Sequence, residues 1–284
     1  MHYVLSDIHG DSAAFDKILS MINLQAEDHL FILGDVIDRG SDGIALLQRI
    51  RQMKNCTLLL GNHELMMIKA YRYPEEWDYM YIWRGNGCHP TIEEYEKLSK
   101  NEQEEVLQYM EKLPLQKEIT VGEETFILVH AAPKEMYRSS RRRCLEDFCV
   151  WERYDPAPQL IKGKTVIYGH TPTRKYIYPE SKQMRIVHGD RMIDIDCGCA
   201  YPNQRGQLGC LRLEDMMEYY SIDGVVTAEE AQRWTKENLT NRWRKAIALS
   251  KRDGQSDAQQ AAKEGKIKDE GNNGIVEPGS PDPS

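Results

Sequence analysis

The apolar residues of this chain come in short runs that stop abruptly, and that pattern limits the fold more than any other feature. Runs at positions 3–6, 29–33, 57–60, 125–129, 165–168, 192–195 and 208–213 are each cut off by polar residues or glycine. Such lengths and sharp ends are those of strands buried in a sandwiched sheet. Helical patterns lie between the early runs. Positions 12–23 open on a capping Ser or Asp and space Phe15, Ile18, Leu19 and Ile22 along one face. Positions 41–53 do the same with Ile44, Leu47 and Ile50. Strand and helix therefore alternate, and the expected class is α/β, built in layers.

Later segments set the domain plan. Positions 64–111 read as mostly helical and rich in Tyr, Trp and Met, an inserted cap over about residues 66–112. Positions 216–222 continue the strand series. Positions 229–251 suggest one long amphipathic helix carrying Trp234, Leu239, Trp243 and Ile247. Beyond Arg252 the chain is Gly, Asn, Gln, Pro, Ser and charge, which cannot bury enough apolar area to offset chain entropy. The plan is a main domain over 1–225, a C-terminal helix over 226–251 and a disordered tail over 252–284.

Charge and cysteine usage remove several classes of function. A net charge of −8 argues against a nucleic-acid binder, which presents a basic face. No apolar run approaches the length of a membrane span, and the first residues lack the basic, apolar, small-residue order of a signal peptide. The seven cysteines are odd in number and scattered, as free thiols in a reducing compartment would be. A cytoplasmic protein with neither membrane nor nucleic-acid partner is expected.

The chemistry lies at the polar end of each run. The first run gives way to Asp7-Ile8-His9-Gly10, the second to Gly34-Asp35-Val36-Ile37-Asp38-Arg39-Gly40, and the third to Gly61-Asn62-His63-Glu64. The fourth leads into His130-Ala131 and the fifth into Gly169-His170-Thr171. In open α/β sheets, functional groups gather beyond the carboxyl ends of the strands. Asp7 and His9, two apart, would share a face if that segment stays extended. Aspartate, histidine and asparagine without cysteine suit manganese, iron or zinc. There are enough donors for two ions, and one aspartate can bridge them. One such motif means little, but five in a row after five strands form a specific set.

As a set, these motifs resemble the phosphoprotein phosphatase family of calcineurin-like metallophosphatases, of the bacterial and phage serine/threonine type. Asp194-Ile195-Asp196-Cys197-Gly198 is similar to the family's closing strand. The likeness covers roughly residues 1–222. It implies a four-layer αββα sandwich of mixed sheets with a helical cap, and two divalent ions, manganese first, with iron or zinc as alternatives. Asp7 and His9 would hold the first ion and Asn62, His130 and His170 the second, with Asp35 bridging. His63 would protonate the leaving oxygen, oriented by Asp38. Arg39 would bind phosphate together with Arg153, and the block holding Arg84 and Asn86 resembles a substrate-side segment of bacterial members. Leu60 stands where many relatives carry arginine, and Cys88 where a second glycine is usual.

The implied reaction is phosphomonoester hydrolysis by a hydroxide activated at the two metals. Asp38 beside His63 is expected to favour the protonated ring. Relatives that split symmetrical dinucleoside tetraphosphates often carry asparagine where this chain keeps Asp38, so the resemblance favours a protein phosphatase acting on a phosphorylated protein or a small phosphoester. The alternative is a symmetrical dinucleoside tetraphosphate hydrolase, and a second is an inactive binding module. Outside the motifs, His2, His29 and His188 read as structural. The aromatic cluster Tyr71, Tyr73, Trp77, Tyr79, Tyr81 and Trp83 reads mainly as packing inside the cap.

Overall fold

The computed structural model describes residues 1–138, 144–153, 161–178 and 183–245. Side-chain alternation along the strands decides the layering. In β1 (His2–Leu5), Val4 faces one core while Tyr3 and Leu5 face another. In β2 (His29–Ile32), Phe31 joins Val4 while Leu30 and Ile32 join Tyr3 and Leu5. The first sheet is completed by β3 (Cys56–Leu58) on one side and by β9 (Gly209–Arg212), β10 (Glu218–Tyr220) and β11 (Gly224–Val226) on the other.

The second sheet repeats the logic. It contains β4 (Gln116–Val121), β5 (Glu124–Val129), β6 (Lys164–Tyr168), β8 (Met192–Asp194) and β7 (Val187–His188), in that order. Phe126, Leu128, Ile167 and Ile193 meet Val4 and Phe31 between the sheets. Their neighbours Ile127, Val129, Val166, Tyr168 and Met192 face outward onto Phe148 and Cys149 of α7 (Leu145–Trp151). The outer face of the first sheet is covered by α1 (Ser12–Ile22), α2 (Gly43–Gln52) and α3 (Asn62–Arg72). A period of two with both faces apolar is what produces helix, sheet, sheet, helix. This is the αββα arrangement that the motifs implied.

Strand direction then positions the site. β1, β2 and β3 run parallel, and so do β5, β6 and β8. Their carboxyl ends deliver Asp7, Asp35, Asn62, His130, His170 and Asp196 to one cleft.

Some elements differ from the sequence reading. β4 carries Lys117 and Glu118 exposed at the edge of its sheet, so no apolar run betrays it. Between β3 and β4 lie α3, α4 (Trp77–Gly85), α5 (His89–Glu96) and α6 (Lys100–Met110). Trp83, Tyr71 and Tyr95 pack together there, but Trp77 and Tyr81 are 70% and 71% exposed. The long helix expected over 229–251 is interrupted. α8 (Ala228–Asn238) ends at Leu239, whose backbone is extended and bridges Ile177, and helix resumes at 241–245. Leu239 and Trp243 both reach the inter-sheet core from this broken segment. The expected tail over 252–284 and Ile247 lie outside the described residues. Among the described residues no helix is long and apolar enough to cross a membrane.

Candidate metal centre

The segment after β1 is not extended, contrary to the sequence reading. Asp7 (φ 54°) and His9 (φ 51°) are left-handed, as are Asp35, Asp38, Arg39 and His170. Non-glycine residues seldom adopt this conformation, and clusters of them mark functional loops. Cross-loop backbone bonds hold them. The N–H groups of Asp7 and His9 donate to the carbonyls of Gly34 (3.2 Å) and Asp35 (3.0 Å), and that of Gly40 donates to His9 (3.0 Å).

Glu64, fully buried, braces the second loop. Its carboxylate accepts from the backbone N–H of Asp35 (2.9 Å), Val36 (2.8 Å), Ile37 (3.3 Å) and Gly61 (3.1 Å). The sequence reading gave Glu64 no role, although its place in Gly-Asn-His-Glu was visible. Gly61 is required by proximity, since a Cβ there would overlap the backbone N and Oδ1 of Asp35. At Gly169 a Cβ would overlap Ser6 and the Asp7 carboxylate.

Several of the expected donors lie close together. Nε2 of His130 lies 2.9 Å from Oδ1 of Asn62 and 3.4 Å from Oδ1 of Asp35. Nδ1 of His170 lies 2.8 Å from the same Asn62 oxygen. Nε2 of His9 is 3.7 Å from Oδ2 of Asp35 and 3.9 Å from Oδ1 of Asp7. Two groups of donor atoms, His9/Asp35/His63 and Asp35/His130/His170, each fall within 4.8 Å of one another and share Asp35.

Backbone carbonyls set the imidazole orientations. Nδ1–H of His9 donates to Ile37 (3.1 Å) and that of His130 to Leu33 (2.8 Å), leaving each Nε2 toward the cleft. Carbonyl partners of this kind fix the tautomer of metal-binding histidines. The electrostatics also suit cations. Burial, then the neighbouring Asp7, pushes Asp35 well above the usual carboxylate range, and the same two causes raise Asp196. Burial, reinforced by other histidines and arginines, pushes His9 and His170 well down, toward neutral rings able to ligate. Crowded buried carboxylates beside neutral imidazoles are what divalent ions would relieve, so these residues fit a dinuclear centre.

One ring is held differently. Nδ1 of His63 lies 2.6 Å from Oδ2 of Asp38, and the indole N–H of Trp83 donates to that oxygen at 2.7 Å. The other Asp38 oxygen is buried with no partner among the described residues. Burial accordingly raises Asp38 to about 7. Burial, then Arg39 and His130, lowers His63 well below its usual value, so the expected bias toward a protonated ring is reversed. The guanidinium of Arg39 donates to Nε2 of His9 (2.8 Å) and of His63 (3.1 Å), over the ring of Tyr201.

Arg39, Asn86 and Arg153 all line the cleft, and Arg153 donates to Thr171 Oγ1 at 3.0 Å. Arg84 is exposed on α4 and is not among the lining residues. The sequence reading missed Trp151, Asp196 and Tyr201 as cleft residues. Only Asp196 carried a signal, its place after the β8 run.

Comparison with known proteins agrees with this architecture. Residues 3–228 match the model of the calcineurin-like phosphoesterase family. A symmetrical bis(5'-nucleosyl)-tetraphosphatase from Wigglesworthia glossinidia brevipalpis is 39% identical over 72 residues, 25% of this chain and only 26% of that protein's length. Another from Haemophilus ducreyi (strain 35000HP / ATCC 700724) is 23% identical over 209 residues, 69% of this chain and 72% of the relative. A solved structure of a candidate diadenosine tetraphosphatase superposes with a TM-score of 0.50 at 17% identity, covering 78% of this chain and 94% of that one, a likeness of fold. With most of its length matched and its metal-type donors gathered at one cleft, the chain belongs to the calcineurin-like phosphoesterase family.

Proposed function

We propose that this phosphoesterase hydrolyses a phosphoanhydride of a symmetrical dinucleoside tetraphosphate, with two divalent cations, manganese first among candidates. The observation that carries the substrate is the likeness to curated symmetrical tetraphosphatases, which supports this reading over the protein phosphatase that Asp38 suggested. Asp7, His9 and Asp35 would hold one cation, and Asp35, Asn62, His130 and His170 the other. Bound there, divalent ions supply Lewis-acid charge to the phosphate and the attacking water.

The protein's own groups do the rest. Arg39 presents planar paired donors that match phosphate oxygens, and Arg153 and Asn86 line the same cleft. Burial first and the Arg39 charge second hold His63 down, and an anionic phosphate bound by the guanidinium would compensate the second. His63, anchored at Nδ1 by Asp38, would then take up a solvent proton at Nε2 and pass it to the leaving phosphate oxygen as the old P–O bond breaks and the water O–P bond forms, the attacking water giving its own proton to solvent.

A second reading, serine/threonine phosphatase, is favoured by the His63–Asp38 contact, because an alkoxide needs protonation more than a phosphate does. Assaying diadenosine tetraphosphate and phosphopeptides side by side, with metal content measured, separates the two. Faster turnover of the dinucleotide is expected, and a clear preference for phosphopeptide would reverse the proposal.

A further inference from the structure

A second cavity opens beside the catalytic cleft. It lies among α3, α4 and α7, has a volume of about 340 Å³, and is walled by Leu65, Met66, Tyr79, Ile82 and Trp151. Trp151 lines both spaces. Its ring stands edge-on to His170 at 5.9 Å, so anything in the groove is one side chain from the phosphate cleft. The polar members of the groove are Lys69 and Asp147, paired at 2.7 Å. Lys69 also lies 5.8 Å from the ring centre of Tyr79.

These features define what the groove accepts. The charge of Lys69 is met by Asp147, so no uncompensated cation is present to hold a phosphate. Apolar and aromatic walls with one donor and one acceptor side by side suit a flat heterocycle with alternating donors and acceptors on its edge. We infer that this groove is the subsite for a purine base of the substrate, with Trp151 at the junction between base and phosphate. Asp147 accepts from an exocyclic amino group and Lys69 donates to a ring nitrogen, while Tyr79, Ile82 and Trp151 cover the ring faces. The inference rests on the proposed dinucleotide substrate, and it names where one base goes.

The test uses adenosine, which carries no phosphate and is not hydrolysed. Its affinity for the full chain is measured by NMR titration, for wild type and for Tyr79→Ala and Ile82→Ala. Ile82 is 45% exposed, so its truncation leaves the core intact. Stacking on aromatic walls predicts saturable binding, weakened by about 5- to 100-fold in the variants. In parallel, KM for diadenosine tetraphosphate should rise in both variants, while kcat for p-nitrophenyl phosphate stays at the wild-type value. Turnover of the dinucleotide without adenosine binding, or binding equal in all three proteins, overturns the groove assignment and leaves the proposed function standing. No dinucleotide turnover together with phosphopeptide turnover overturns both.

Discussion

The indole of Trp83 and the carboxylate of Asp38 meet at 2.7 Å inside the protein, with neither residue exposed to solvent. The same Asp38 oxygen touches Nδ1 of His63. A tryptophan from α4 thereby fixes the carboxylate that fixes the ring at the cleft. The helices between β3 and β4 are tied to the site by this contact, and by the Arg39 N–H donating to the Gly87 carbonyl at 2.9 Å.

Trp83→Phe should keep the ring packing and lose the donor. Turnover is expected to fall about tenfold, roughly 1.4 kcal/mol of alignment at the transition state, with KM nearly unchanged. A variant that loses thermal stability but keeps wild-type kcat would show Trp83 to be packing alone.

His63→Asn is expected to lower kcat by about 10²–10⁴-fold if the ring supplies the leaving-group proton. The loss should shrink for p-nitrophenyl phosphate, whose leaving group needs no proton. Metal content should match wild type. Loss of one equivalent of metal would instead make His63 a ligand, as its grouping with His9 and Asp35 permits.

Asp38 carries a pH signature in chelator-treated protein. Burial raises it from an ordinary 3.8 to about 7, so between those values the folded state binds a proton that the unfolded state releases. Its contribution to stability is fully present below pH 3.8 and is lost as pH rises to about 7. The Tm of wild type minus that of Asp38→Asn should therefore fall across this window and level off above it. A difference that grows with pH would contradict the assignment.

Glu64→Gln replaces a carboxylate that accepts four backbone N–H groups with an amide offering one acceptor oxygen. Stability should drop by about 2–4 kcal/mol in denaturant unfolding, as expected when buried donors lose a charged acceptor. Bound metal should fall as well, because the Asp35 loop loses its brace. Full metal content with unchanged stability would remove Glu64 from that role.

Much of the site was readable because its donors come directly after apolar runs. Asp7, His9, Asp35, Asn62, His130 and His170 needed only the inference that these runs are strands with a common exit edge. That inference rests on side-chain period and strand length, which are local properties. The same locality made the two buried faces of β1, β2, β5 and β6 legible.

Other features depend on tertiary placement. Trp83 and Trp151 look like any aromatic in a helical pattern, yet one anchors Asp38 and the other separates cleft from groove. Arg84 and Asn86 sit in one motif, but the turn ending α4 sends Asn86 to the cleft and leaves Arg84 exposed. The protonation bias of His63 also reversed, because burial and Arg39 outweigh its carboxylate neighbour. Sequence by itself determined which donors exist and which strands carry them. Their orientations and charges, and the groove beside them, were decided by contacts between segments far apart in the chain, where burial and shape govern and no local pattern records the outcome.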